Sequence, residues 1–179
     1  QPEDVLTADK ITQGLEKVAS ALKAKGRDIS IIAVGGAVNT LFLHSRATTS
    51  DVDFFYRTKT KTEDVAAIIV AAYDASKSLK VGDQWLNNHT ALFIEEGTIK
   101  ELYDEAVTQN DLVFNKPGLK VYAAPWRYAL AAKLDRLAKA GARPYDMDDA
   151  VEYLAHLIQK RGSAVKRAEL KDWAGKFKF

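Results

Sequence analysis

Apolar positions along the chain alternate between two periods, and the alternation sets out a mixed order of helices and strands. Ile11, Leu15, Val18, Ala19 and Leu22 recur at helical spacing and predict a helix over 8 to 25, with Thr7 as N-cap and Gly26 closing it. "DISIIAV" (28 to 34) is a continuous apolar run of strand length, and "GAVNTLFLHS" after Gly35 reads as a short helix. "DVDFFYR" (51 to 57) predicts a second strand. Thr62 is placed to cap a helix to about 76, and "TALFI" (90 to 94) predicts a third strand before a helix over 98 to 109. "DLVFNKPGLKVYAA" predicts two short strands about a Pro117-Gly118 turn. From Pro125 onward the pattern is helical: 125 to 139, 147 to 160, and a basic piece over 164 to 174. The expectation is a single α+β domain over 1 to 179: a mixed sheet with packed helices to about residue 124, then a helical C-terminal part.

Composition narrows the function little. Twenty-six basic residues balance 24 acidic ones, so net charge exerts no strong pull toward nucleic acid. The absence of cysteine excludes disulfides, thiolate metal sites and cysteine nucleophiles, and it suits a reducing, cytoplasmic setting. No apolar run approaches the roughly 20 residues that span a bilayer, so no membrane partner is expected. The opening "QPEDVLTADK" has neither a basic nor an apolar leader region.

The candidate chemistry lies in "IIAVGGAVNTLFLHSRATTSDVDFFY". Strand side chains two apart share a face, so Asp51 and Asp53 project together while Val52 and Phe54 face the opposite layer. Two unpaired carboxylates this close repel, and a hard divalent cation removes that repulsion. Gly35-Gly36 lies at a strand-to-helix turn where the backbone approaches an anion closely and offers free N–H groups. Each feature has a plainer use as well. The aspartates suit a solvated strand edge, the glycines a tight turn, and Arg46 an ion pair with Asp51 or Asp53. Lys133 suits a solvated helix face, and Asp146, Asp148 and Asp149 suit helix capping or a salt bridge to Lys133 or Arg136.

Gly35-Gly36 followed, fifteen residues after Gly36, by Asp51-Val52-Asp53 resembles the signature of the nucleotidyltransferase (polymerase beta-like) superfamily. The subgroup of AbiEii-type toxins and related domains is the nearer likeness, with Arg46 and Thr49 between the two motifs. "LKVYAAPWRYALAAKLDRLAKAGARPYDMDDAVEYL" is similar to the same subgroup in its strand, proline, helix-borne lysine and Asp-rich helix start. The resemblance implies an NTP substrate held by Gly35, Gly36, Arg46, Thr49 and Lys133. It also implies Mg2+ or Mn2+ on Asp51 and Asp53 as metal-binding and catalytic residues, and transfer of NMP to a protein, small-molecule or RNA acceptor. A third carboxylate belongs on a later strand, where this chain offers Asn88 and His89; Asp83, Glu95 and Glu96 are the acids nearest to it. The alternatives are an inactive nucleotide-binding module of toxin-like regulatory type and, ranked last, a metal-dependent glycosyltransferase. Seven Lys or Arg between Lys160 and Lys178, against two acids, suit either a solvated helix or contact with RNA or another acidic partner.

Overall fold

The computed structural model describes residues 5–179; the first four residues of the opening decapeptide lie outside the described residues. The chain runs β1 (Leu6–Thr7), α1 (Ala8–Ala24), β2 (Ile29–Val34), α2 (Gly36–Val38), β3 (Thr48–Thr49), β4 (Val52–Phe55), α3 (Glu63–Leu79), β5 (Leu86–Asn87), α4 (Glu96–Gln109), β6 (Leu112–Lys116), β7 (Leu119–Ala123), α5 (Trp126–Ala138), α6 (Asp146–Arg161) and α7 (Arg167–Phe177). A mixed sheet has the order β5-β4-β2-β7-β6, and β1 pairs with β3 in a separate small ribbon. The protein is therefore α+β, with helices packed on a mixed sheet and a helical C-terminal part.

Strand period distributes the core. Ile29, Ile31 and Ala33 of β2, Val52 and Phe54 of β4, and Leu119 and Val121 of β7 face α1 and α3. Ile32, Phe55 and Tyr122 face the other way, onto Ile99, Leu102 and Ala106 of α4. Each fully buried Ile, Leu or Phe on these faces contributes about 1.5–3 kcal/mol. The caps are as the pattern predicts: the Thr7 hydroxyl accepts from the Lys10 N–H at 3.2 Å and the Thr62 hydroxyl from the Val65 N–H at 3.2 Å. Among the described residues no helix is long and apolar enough to cross a membrane.

One expectation fails locally, and one holds with a change of helix type. "TALFI" is not a strand: His89–Phe93 forms a short 3-10 helix, and the pairing strand is the two-residue β5 just before it. The run has strand composition, but Leu92 and Phe93 are exposed, so no second layer rewards extension there. The predicted helix after Gly35 begins as α2 and widens at once into a π-helical turn, Asn39–Leu43, ending on His44 in the left-handed region. That widening keeps Asn39 fully buried beside α6, where its amide is used.

Gly14 marks the closest approach of α1 to its neighbours. A Cβ there would lie 2.6 Å from Trp85 Cη2, and the indole is fixed because its Nε1 donates to the Ala72 carbonyl at 2.8 Å. Gly14→Ala gains helix propensity of about 1 kcal/mol but meets an immovable ring. The expected outcome is a net loss of about 1–3 kcal/mol in urea unfolding; a stabilised variant would show that the helices slide apart freely.

Candidate functional site

Strands β2 and β7 run parallel, and β4 runs antiparallel to β2 with Val34 opposite Asp53. The carboxyl ends of β2 and β7 therefore meet the start of β4 at one end of the sheet. Open α/β sheets place ligands at such an end. A cleft of about 550 Å3 lies there, lined among others by Gly35, Gly36, Arg46, Thr49, Asp51, Asp53, Lys133 and Tyr145. Gly35, Gly36, Arg46, Thr49, Asp51, Asp53 and Lys133 thus all line this one cleft, whereas none of the residues considered for the third carboxylate position does.

The acidic rim comes from β4 and the residue before it. Asp53 projects opposite to Val52 and Phe54, which are in the core, as the strand period requires. Its carboxyl is pushed up to about 6, chiefly by burial and then by the charge of Asp51, with His89 and Asn87 acting in the other direction. The two carboxylates thus burden each other as the spacing predicts. Asn87 of β5 pairs with Asp53 in the sheet, and its Nδ2 donates to Asp51 Oδ2 at 3.3 Å and to the Gln84 carbonyl at 3.0 Å. The residue beside the aspartates is therefore Asn87 rather than Asn88. Asn88 lines a neighbouring groove with Asp83 and His89; Asn87 borders that groove too, but it is the one whose side chain reaches Asp51. Glu95 pairs with Lys178, and Glu96 accepts from the Thr58 hydroxyl, so neither reaches the cleft.

The glycine turn divides its labour. Gly35 has φ +69, the left-handed region, and a Cβ on it would meet nothing within 4 Å. Gly36 is needed for space: its Cβ would lie 2.5 Å from Thr49 Oγ1 and 3.2 Å from Arg46 Nη1. The Thr49 hydroxyl is committed to the Asp51 carbonyl at 3.2 Å, which ties the loop carrying the aspartates to β3.

The opposite wall is basic and built on buried ion pairs. Lys133 Nζ donates to Asp146 at 2.9 Å and lies 2.8 Å from Asp149. Arg46 Nη2 pairs with Asp149, and its guanidinium lies 4.0 Å from the Tyr145 ring centre. Asp149 also accepts from Asn39 Nδ2 at 3.0 Å, and the Tyr153 hydroxyl donates to Asn39 Oδ1 at 2.6 Å. Burial alone would raise the Asp146 carboxyl, but Lys133, the Arg143 N–H and the Arg143 charge outweigh it and hold it at about 2. Of the two uses open to Asp146 and Asp149, the structure shows the salt bridge with Lys133; Asp148 stays exposed. Arg46, Lys133, Arg136 and Arg143 line the cleft against these two carboxylates, so the wall keeps an excess of positive charge. Arg136 is exposed and has no ion-pair partner among the described residues.

Arg143, Tyr145, Asn39 and Tyr153 were missed by sequence reasoning. The i, i+3, i+7 recurrence of Asp146, Asp149 and Tyr153 on one helix face was the available signal.

Asp51 and Asp53 stand as a pair: among the described residues no group of three or more acid, histidine or cysteine side chains could hold a metal ion. The pair still suits Mg2+, which is commonly held by one or two carboxylates together with substrate phosphates and water. The observation in favour is that both carboxylates line the same cleft, where a cation would offset the burial and mutual repulsion that raise Asp53.

The basic tail is mostly spoken for. Lys160 pairs with Asp111, Arg161 with Glu169, Lys176 with Glu101 and Lys178 with Glu95. Lys166, Arg167 and Lys171 remain without an ion-pair partner among the described residues.

These features define an α+β protein whose cleft sets an acidic pair against a basic wall. Residues 3–172 match the model of the family described as a domain of unknown function (DUF7582), and the chain belongs to that family. No curated protein and no solved structure matches it.

Proposed function

We propose that the chain is a Mg2+- or Mn2+-dependent nucleotidyltransferase that binds an NTP in this cleft, in a cytoplasmic setting. The observation that carries the reading is the facing of the strained Asp51–Asp53 pair and the cationic wall across a glycine turn. A triphosphate is an anion that brings its own divalent cation, so it satisfies both rims at once. The exposed Arg136 and the partly exposed Arg143 are the phosphate contacts. Arg46 and Lys133, held in the buried ion pairs with Asp149 and Asp146, shape the wall, whereas Arg143 has only a longer contact with Asp146 at 3.4 Å. Tyr145 offers a ring beside the cations.

In the transfer, the acceptor hydroxyl oxygen of a protein, small molecule or RNA bonds to the α-phosphorus. The α–β bridging P–O bond breaks, pyrophosphate leaves and the hydroxyl proton passes to water. The cation, when bound, stabilises charge on the phosphate oxygens. The chain's own part is to position the phosphates and to hold the two aspartates together.

Asn87 favours a second reading, an inactive nucleotide-binding module, because a carboxamide stands beside the pair where a carboxylate would add a ligand and a base. A thermal-shift series with NTPs and UDP-sugars, each with and without Mg2+, separates the classes: NTP preference supports the nucleotidyltransferase fold reading, and UDP-sugar preference points to a glycosyltransferase. Asn87→Asp then decides between enzyme and module. It is expected to tighten Mg2+ binding several-fold in calorimetry and to raise transfer from labelled NTP, while lowering the stability of the metal-free protein by added repulsion. Brisk wild-type transfer that Asn87→Asp leaves unchanged rules out the module reading.

A further inference from the structure

Helix α3 is apolar on two sides. Val65, Ile68, Ala72 and Ala75 face the core, yet Ile69, Val70 and Tyr73 are 48%, 50% and 46% exposed. The outward side also carries Glu63, Asp74, Lys77 and Ser78, so these apolar residues form a stripe between charges. The outward residues Glu63, Ala66, Val70, Tyr73 and Lys77 recur at alternating steps of three and four, the spacing of a helix-pairing seam. The seam is oppositely charged at its ends. The Glu63 side chain is 91% exposed, with one carboxylate oxygen 3.3 Å from Arg27, and the Lys77 ammonium lies 4.4 Å from the Tyr73 ring centre. Val70 is midway between them in the chain.

We propose that α3 is a self-association surface that pairs antiparallel with α3 of a second copy of this chain, about a twofold axis at Val70. In that arrangement Glu63 of each copy meets Lys77 of the other, and bulky Tyr73 lies beside small Ala66. A parallel pairing would stack Glu63 on Glu63 and Lys77 on Lys77, so charge selects the antiparallel one. Ile69, Val70 and Tyr73 also form one wall of a groove of about 380 Å3 whose other side includes Leu86, Asn88 and His89, which widens the surface beyond the helix. A standard interface covers about 800 Å2 per partner, and one helix with a groove stands at the low end, so the dimer is concentration-dependent. No seam residue on α3 lines the Asp51–Asp53 cleft; the adjoining groove touches it only through Asn87, which donates to Asp51.

Sedimentation velocity of the full chain over a concentration series is expected to show a reversible monomer–dimer equilibrium. Val70→Asp sets like charges face to face on the axis and should raise the dissociation constant about tenfold or more. Lys77→Glu and Glu63→Lys should each weaken the dimer, by roughly fivefold because symmetry doubles each pair. The double variant Glu63→Lys with Lys77→Glu should restore it. Circular dichroism and Tm establish that each variant is folded. A monomer at every concentration overturns the proposal and leaves the stripe to a different protein. A dimer indifferent to Val70→Asp, or a double variant that stays weak, overturns it equally.

Discussion

Lys133→Met is expected to lower stability by about 3 kcal/mol, because it leaves buried Asp146 and Asp149 short of their shared cation. For a chain of this size that corresponds to a Tm drop of roughly 6–12 °C. Methionine keeps most of the side-chain volume, so packing is not the cause. The residual partners keep the loss at the low end: Asp149 retains Arg46 and Asn39, and Asp146 retains the Arg143 N–H. The pH dependence distinguishes this loss from a packing defect. The folded Asp146 carboxyl is held at about 2 against an ordinary 3.8. It therefore binds fewer protons folded than unfolded, and its stabilisation is full above 3.8 and lost as pH falls toward 2. Without Lys133 that depression shrinks, and acid unfolding moves to higher pH. A variant with unchanged Tm and acid limb would show the cluster to be loosely solvated.

Asp51→Asn combined with Asp53→Asn should abolish Mg2+-dependent nucleotide binding in calorimetry and leave the fold intact. The same change is expected to stabilise the metal-free protein at neutral pH. Asp53, raised to about 6 by burial and the Asp51 charge, binds more protons folded than unfolded. Linkage makes the metal-free wild type lose stability as pH rises from the ordinary 3.8 to about 6, and the asparagine variant lacks that slope. Burial raises both carboxyls; at Asp53 the Asp51 charge adds to it, whereas at Asp146 the hydrogen bonds and charges of Lys133 and Arg143 outweigh it. Unchanged nucleotide binding in the double variant would make the pair structural and remove the metal from the proposed function.

Most of the fold was legible locally. The helix stripe from Ile11 to Leu22, the Thr7 and Thr62 caps and the Pro117-Gly118 turn report on windows of a few residues, where period and backbone chemistry act directly. The β1–β3 ribbon escaped notice because two-residue strands carry no period. "TALFI" misled for the opposite reason: it has strand composition, but strand formation needs a partner and a second layer.

Sequence alone determined that Asp51 and Asp53 share a side, that a glycine turn precedes them, and that a helix-borne lysine and an Asp-rich helix follow. Those are consequences of strand and helix period. Only the tertiary structure decided that Asn87, not Asn88, lies beside the pair, because that depends on where β5 ends. It likewise decided that Arg46 reaches Asp149, 103 residues away, instead of Asp51 or Asp53, and that Lys133 bridges two buried acids. Ion-pair partners are chosen by which helices pack together and how much water they exclude, and neither is written in any short window of the chain.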